Sequence, residues 1–202
     1  MMPTTKPIQQ LTPPNIPQIK MGITTKKPSS HNQLSKEAIL LNQTHSDILI
    51  EITQENKHLP HSADAMFTHE KNIVLGIKTA DCLPILIANP PHLIAGIHAG
   101  RRGTDQNILQ KTIQKLTPIF NNKAPLHIWF GPCLCVPCHQ INREKDIHYD
   151  LIKENIKQLN TLNRPYNLYQ HPSCTKCNPD IFYSYRASGP KAGRNVSWIY
   201  QY

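Results

Sequence analysis

Residues 73–100 read IVLGIKTADCLPILIANPPHLIAGIHAG, and this stretch decides the fold class. Ile73–Lys78 and Leu83–Ala88 are short runs rich in β-branched residues, and His92–His98 is a third. Their length and composition predict strands rather than helices. Thr79-Ala80-Asp81-Cys82 forms the junction between the first two runs.

Toward the C terminus, Gly103-Thr104-Asp105 opens a predicted helix with Thr104 or Asp105 as its cap. Ile108, Leu109, Ile113 and Leu116 form its apolar stripe, and Pro118 ends it. Leu126–Phe130 reads as a strand running into Gly131-Pro132. Asp150 caps a second amphipathic helix carrying Leu151, Ile152, Ile156 and Leu159. Short strands near Leu168–Gln170 and Val196–Tyr200 close the chain. Toward the N terminus, residues 1–35 are rich in Pro, Thr, Lys and Gln and poorly patterned. Part of that segment is expected to pair as an edge strand, with its first few residues disordered. Interleaved strands and helices predict an α/β (α+β) protein with a mixed sheet, in one domain.

The chain has 202 residues and 23.0 kDa, enough for one domain with a real core. No apolar run approaches the roughly 18–20 residues that span a bilayer. The start, MMPTTKPIQQ, lacks the apolar region of a secretory signal, so the cytoplasm is expected and no membrane. The net charge is +9, from 22 basic and 13 acidic residues. The lysines are scattered, no nucleic-acid motif is present, and aromatics are only 6%, too few for a stacking platform. Nucleic acid is therefore not the expected partner, whereas an anionic substrate such as phosphate gains from the positive potential.

Three groups with metal-binding heads sit at the ends of apolar runs: His45 in LNQTHSD, Cys82 in TADCLP and His98 in HAGRRG. Two imidazoles and a thiolate suit zinc and leave a fourth position for water or substrate. Residue type and spacing also allow a plainer reading, in which His45 and His98 are ordinary loop histidines and Cys82 is a small buried apolar side chain.

Six words then occur in one order: TADCLP at 79–84, HAGRRG at 98–103, GPC at 131–133, CT at 174–175, FYSYR at 182–186 and GR at 193–194. In that order they resemble the YfiH-like laccase-domain family, also described as multicopper polyphenol oxidase-like or purine nucleoside phosphorylase proteins. The resemblance runs from about Leu41 to the C terminus, with a fainter likeness over Ile16–Lys27, and makes residues 36–202 the catalytic domain. It implies a layered α-β-β-α sandwich with mixed sheets that binds Zn2+ in a surface cleft, as a monomer. The implied ligands, from the Q-x-H, TADC and HAG words, are His45, Cys82 and His98. Phosphorolysis of adenosine, inosine, guanosine and methylthioadenosine is implied, with adenosine deamination beside it. The partners are then purine nucleosides and phosphate. Copper is the lesser expectation, because the chain has no H-x-H pair from which a copper cluster is built.

Around this trio, Arg102, Arg186 and Arg194 are candidate phosphate ligands, since a planar guanidinium fork suits phosphate. Asp81 either orients a ligand and takes a proton or bonds to backbone at a strand end. Asn42 and Gln43 either hydrogen-bond substrate or finish a turn. Two departures from the family pattern stand out: Arg101 replaces the tryptophan of its HAGWRG word, and Gln140 replaces a glutamate. These changes motivate a degenerate binding module as one alternative. A cysteine hydrolase or deamidase, with Cys82 as nucleophile and His98 or His45 as base, is another. Finally, Cys133, Cys135 and Cys138 cluster near Gly131, and Cys174 and Cys177 form a C-x-x-C. Such thiols either build a structural zinc site with four cysteine ligands or are incidental and buried.

Overall fold

A computed structural model describes residues 8–10, 12–26, 33–120 and 124–202. Along the chain its strands are β1 (Ile8–Gln9), β2 (Ile19–Ile23), β3 (Ile39–Leu40), β4 (Leu49–Glu51), β5 (Ala65–Thr68), β6 (Val74–Thr79) and β7 (Leu83–Asn89). There follow β8 (Leu93–Ala99), β9 (Leu126–Phe130), β10 (Gln140–Asn142), β11 (Ile147–His148), β12 (Tyr166–Gln170) and β13 (Asn195–Gln201). The helices are α1 (Gln33–Glu37), α2 (Arg101–Asp105), α3 (Ile108–Leu116), α4 (Leu151–Asn160) and α5 (Tyr185–Ser188). All three runs of the 73–98 segment are strands, as their composition predicts. The disorder expected of the first few residues falls on residues 1–7, outside the described residues.

The strands form two main sheets. One has the order β1-β12-β9-β7-β8-β5-β4 and the other β2-β13-β6-β3, with β10-β11 as a separate ribbon. Both main sheets mix parallel and antiparallel pairs. β1 pairs with β12 and β2 with β13, each at the end of its sheet order.

β7 is central in the large sheet and buried throughout. Its alternate residues therefore feed two cores. Leu83, Ile85 and Ile87 face a core shared with α3 and α4, while Leu86 and Ala88 face one between the sheets with Leu75, Ile77, Trp129 and Ile199. The outer face of the small sheet is covered at Gly76 by the strip after α1, where a Cβ would meet Ala38 Cβ at 2.8 Å and Leu40 Cδ2 at 2.8 Å. The layers thus run helices, large sheet, small sheet and the α1 strip.

One helix predicted after His98 is two. α2 starts after Gly100, and α3 starts after Asn107, whose φ of 60° breaks the helix. Neither expected cap acts as one. Thr104 accepts a hydrogen bond from Asn155 Nδ2 at 3.0 Å, and Asp105 accepts one from the Tyr149 hydroxyl at 2.6 Å. At the break, Gln158 of α4 donates to Thr104 O at 2.9 Å and accepts from Gln110 N at 3.1 Å. Gln158 thereby bonds one backbone group at each of the two helix ends, Thr104 O accepting from Asn107 N as well, at 2.9 Å. The predicted Asp150 cap is present, its carboxylate accepting from Lys153 N at 2.9 Å.

Candidate metal centre and its cleft

Strand register builds the site. β5 pairs with β8 through Ala65 opposite Ile97, and β8 with β7 through His98 opposite Pro84. One step further along, Asp64 lies beside His98, with His98 N donating to Asp64 O at 2.7 Å. Cys82, two residues before Pro84, lies on the same face as His98 because side chains alternate along a strand. Thr79–Cys82 is also where the chain leaves the small sheet and enters the large one, so the site opens at one end of the gap between the sheets.

His45 arrives from the loop between β3 and β4. Asp64 holds that loop: its wholly buried carboxylate accepts from Thr44 N at 3.1 Å, His45 N at 3.0 Å, Ser46 N at 2.6 Å and the Ser46 hydroxyl at 2.8 Å. These donors converge because His45 has φ 61°, a left-handed turn that aims successive N–H groups at one anion. The same carboxylate accepts from His98 Nδ1 at 2.7 Å. Asp64 thereby orients both histidines, and it leaves His98 Nε2 free for another partner. It was missed in the sequence; the available signal was a carboxylate inside the apolar stretch Ala63–Phe67.

One ligand atom from each of His45, Cys82 and His98 lies within 4.8 Å of the other two, with Cys82 Sγ 4.0 Å from His45 Nε2. The two imidazole rings meet edge to face at 4.8 Å. Donor atoms around a tetrahedral zinc stand about 3.3–3.6 Å apart, so the trio fits a single ion after a small contraction. Gly100 keeps this space clear. A Cβ there would meet His45 Cδ2 at 2.9 Å and Cys82 Sγ at 3.0 Å.

The electrostatics follow from these contacts. Burial raises the Asp64 carboxyl, but the His98 and Ser46 hydrogen bonds outweigh it and hold the group well below the usual range. Burial lowers His98, and its bonds to Asp64 and Cys82 more than reverse this, up to about 9. Burial likewise raises the Cys82 thiol, yet the adjacent His45 and His98 bring it down to about 7.

The trio stands in a cleft of about 810 Å3, within the roughly 300–1,000 Å3 of small-molecule sites. Arg186 and Arg194 line it, with Lys78, His139 and Tyr185, which the sequence did not single out. Arg102 is exposed on α2 and stands outside the lining, because α2 turns it away from the strand ends. Asp81 lines the cleft at φ 100°, with both carboxylate oxygens occupied: Thr175 Oγ1 donates at 2.8 Å and Arg186 N at 2.6 Å. Its place is thus to fasten two C-terminal segments to the Cys82 turn, not to join the trio. Gln43 clamps the Lys78 backbone, donating to its O at 2.8 Å and accepting from its N at 2.9 Å. Asn42 donates to the Ser62 hydroxyl at 3.0 Å. Of the two departures from the family pattern, Gln140 donates to Asp146 at 2.8 Å and Arg101 is exposed, 3.4 Å from Asp105.

The family described as multi-copper polyphenol oxidoreductase laccase matches residues 25–146 and 139–201. A purine nucleoside phosphorylase of Clostridium acetobutylicum is 31% identical over 184 residues, covering 81% of this chain and 77% of the relative. An adenosine deaminase from an unknown prokaryotic organism is 26% identical over 162 residues, covering 68% of this chain and 62% of the relative. The crystal structure of the YfiH protein of Bacillus licheniformis superposes with a TM-score of 0.78 at 20% identity, covering 92% of this chain and 93% of that one.

Proposed function

The chain belongs to the multi-copper polyphenol oxidoreductase laccase family, and we propose that it is a zinc-dependent purine nucleoside phosphorylase with adenosine deaminase activity. On this reading it acts as a cytoplasmic monomer on adenosine, inosine, guanosine and methylthioadenosine. The observation that carries the proposal is the convergence of His45, Cys82 and His98 at the floor of a cleft walled by cations. The names of the Clostridium phosphorylase and of the deaminase support the reaction class.

His45, Cys82 and His98 would hold the metal, and a zinc ion bound there supplies a Lewis acid and an activated water at neutral pH. The protein's own part is placement and charge. Asp64 fixes the His98 imidazole and the backbone turn that carries His45 before substrate arrives, so less reorganisation is needed during reaction. Arg186, Arg194 and Lys78 gather a phosphate against the cleft wall, where an oxygen attacks the ribose C1′ as the bond to the purine nitrogen breaks. The exposed Tyr185 ring at the cleft mouth offers a face to the purine. His139 is held neutral, first by burial and then by Arg186 and Arg101. Its Nδ1 is buried with no hydrogen-bond partner among the described residues. A neutral imidazole so placed accepts or returns a proton at the departing base.

The test is a metal analysis coupled to incubation with adenosine and phosphate. The expected products are adenine with ribose 1-phosphate, and inosine from deamination, with the zinc of the His45–Cys82–His98 centre and the activity lost together in Cys82→Ser. Zinc-loaded protein that releases no product at high enzyme concentration refutes the reading.

A second reading has its own observation. Cys82, His98 and Asp64 also form a thiol–imidazole–carboxylate series, with the thiol brought down to about 7. A cysteine hydrolase built on it is inactivated by iodoacetamide in the metal-free state, whereas the zinc enzyme is protected by its metal.

A further inference from the structure

Of the five cysteines in the C-terminal half, the fold gathers four and sets one apart. Cys135, Cys138, Cys174 and Cys177 place their sulfurs within 4.8 Å of one another. Cys177 Sγ stands 3.9 Å from Cys135 Sγ and 3.5 Å from Cys138 Sγ. Cys133 is buried and turns its sulfur to Leu134 O at 3.5 Å. We propose that these four thiolates bind a structural zinc ion, separate from the His45–Cys82–His98 centre.

The distances select the chemistry. A disulfide needs its sulfurs about 2.05 Å apart, and all six cysteines of the chain are free. Four thiolates at about 2.3 Å from a tetrahedral zinc stand about 3.8 Å from one another, the scale seen here. A four-iron cluster, with one thiolate on each iron corner, spreads its sulfurs more widely than this group. A closed set of four sulfurs with no open position is a structural rather than a catalytic site.

The backbone is shaped for the ion as well. The ligands come as two C-x-x-C turns, 135–138 and 174–177. In the first, a short 3-10 turn at Val136–Cys138 follows Cys135, with Cys138 N and His139 N both donating to Cys135 O, at 3.0 and 3.1 Å. In the second, Asn178 donates to Cys174 O through its backbone N at 3.2 Å and its side chain at 2.8 Å. A bridge between Cys133 and Cys174 sets the two turns side by side, and Thr175 N donates to Cys133 O at 3.0 Å.

The site would brace the cleft. Leu134 and His139, which flank the first turn, line the cleft. Leu134 N donates to Asp81 O at 3.0 Å, and Thr175 Oγ1 of the second turn donates to the Asp81 carboxylate. Asp81 precedes Cys82, so an ion joining the turns locks the wall against the segment that carries the catalytic thiol.

Zinc is counted per chain in purified wild-type, Cys82→Ser and Cys138→Ser proteins. Two equivalents in the wild type, one in Cys82→Ser and one in Cys138→Ser support the proposal. So does intense visible d–d and thiolate charge-transfer absorption after Co2+ substitution of Cys82→Ser. X-ray absorption of the wild type gives an answer without a variant. A zinc shell dominated by sulfur supports the tetrathiolate, and a shell of two nitrogens and one sulfur alone overturns it. Folded Cys82→Ser without metal, a disulfide among the four cysteines, or mononuclear iron in place of zinc likewise overturns it. Wild-type protein that carries both zinc ions yet shows no nucleoside activity would count against the proposed function and leave this site standing.

Discussion

Asp64→Asn strikes the whole catalytic scaffold through one atom. The buried carboxylate receives His98 Nδ1 and His45 N on one oxygen, and Thr44 N, Ser46 N and the Ser46 hydroxyl on the other. Asparagine fills the same space but turns one acceptor into a donor. With its amide nitrogen on the first side it opposes the N–H groups of His98 and His45; flipped, it opposes those of Thr44 and Ser46. Either way two donors that are buried or part-buried lose their partner, at about 1–3 kcal/mol each. The expected loss is about 2–6 kcal/mol, which lowers the melting temperature by about 5–20 °C in a domain of this size. Zinc affinity should fall by about 10–100-fold, since the histidines lose the group that orients them. The pH dependence carries a sign. Because the folded pKa lies below the unfolded value of about 3.9, the contribution of Asp64 is present in full above that value. It is lost as pH falls through the lower folded pKa, so wild type and variant converge only in strong acid. Urea or thermal unfolding against pH, with a chelator competition for zinc, measures both effects. A variant that melts within about 2 °C of wild type and binds zinc equally would refute the assignment.

Further expectations concern the same cleft. Gly100→Ala sets a methyl 2.9 Å from His45 and 3.0 Å from Cys82; zinc affinity should fall about tenfold or more in a protein that stays folded by circular dichroism, and unchanged affinity defeats the argument. In metal-free protein, iodoacetamide should alkylate Cys82 with a rate that rises with pH through a midpoint near 7. His98→Ala should move that midpoint up toward the ordinary thiol value of about 8.5, and a midpoint that stays in place contradicts the proposed cause. Arg186→Ala should raise the phosphate KM about 10–100-fold, the scale of one charge-assisted hydrogen bond, while Arg102→Ala should leave it unchanged; the reverse pattern would show that the cleft wall has been misjudged.

How much was legible in the sequence divides by the range of the interactions involved. The strands at 74–79, 83–89 and 93–99 were legible because an apolar β-branched run reports its own burial. The stripe of α3 and the Asp150 cap of α4 were legible for the same local reason. The break at Asn107 was not, because Gln158 and Asn155, some fifty residues away, satisfy and divert the groups that a single helix would have used. Likewise Arg102 looked near His98 along the chain, and only the direction of α2 places it outside the cleft.

The sequence by itself determined the residue types of the trio, their order among the family words and the apolar strands that bring them near. The tertiary structure decided what joins them. Asp64 meets His98 through the register of β5 on β8, and Cys82 faces both histidines because its turn crosses from one sheet to the other. Five clustered cysteines in the sequence likewise became four convergent sulfurs and one buried apart. The physical reason is common to these cases: local composition reports whether a residue is buried. Convergence of donor atoms depends on strand register and on the crossing of two sheets, and these are set by contacts far apart in the chain.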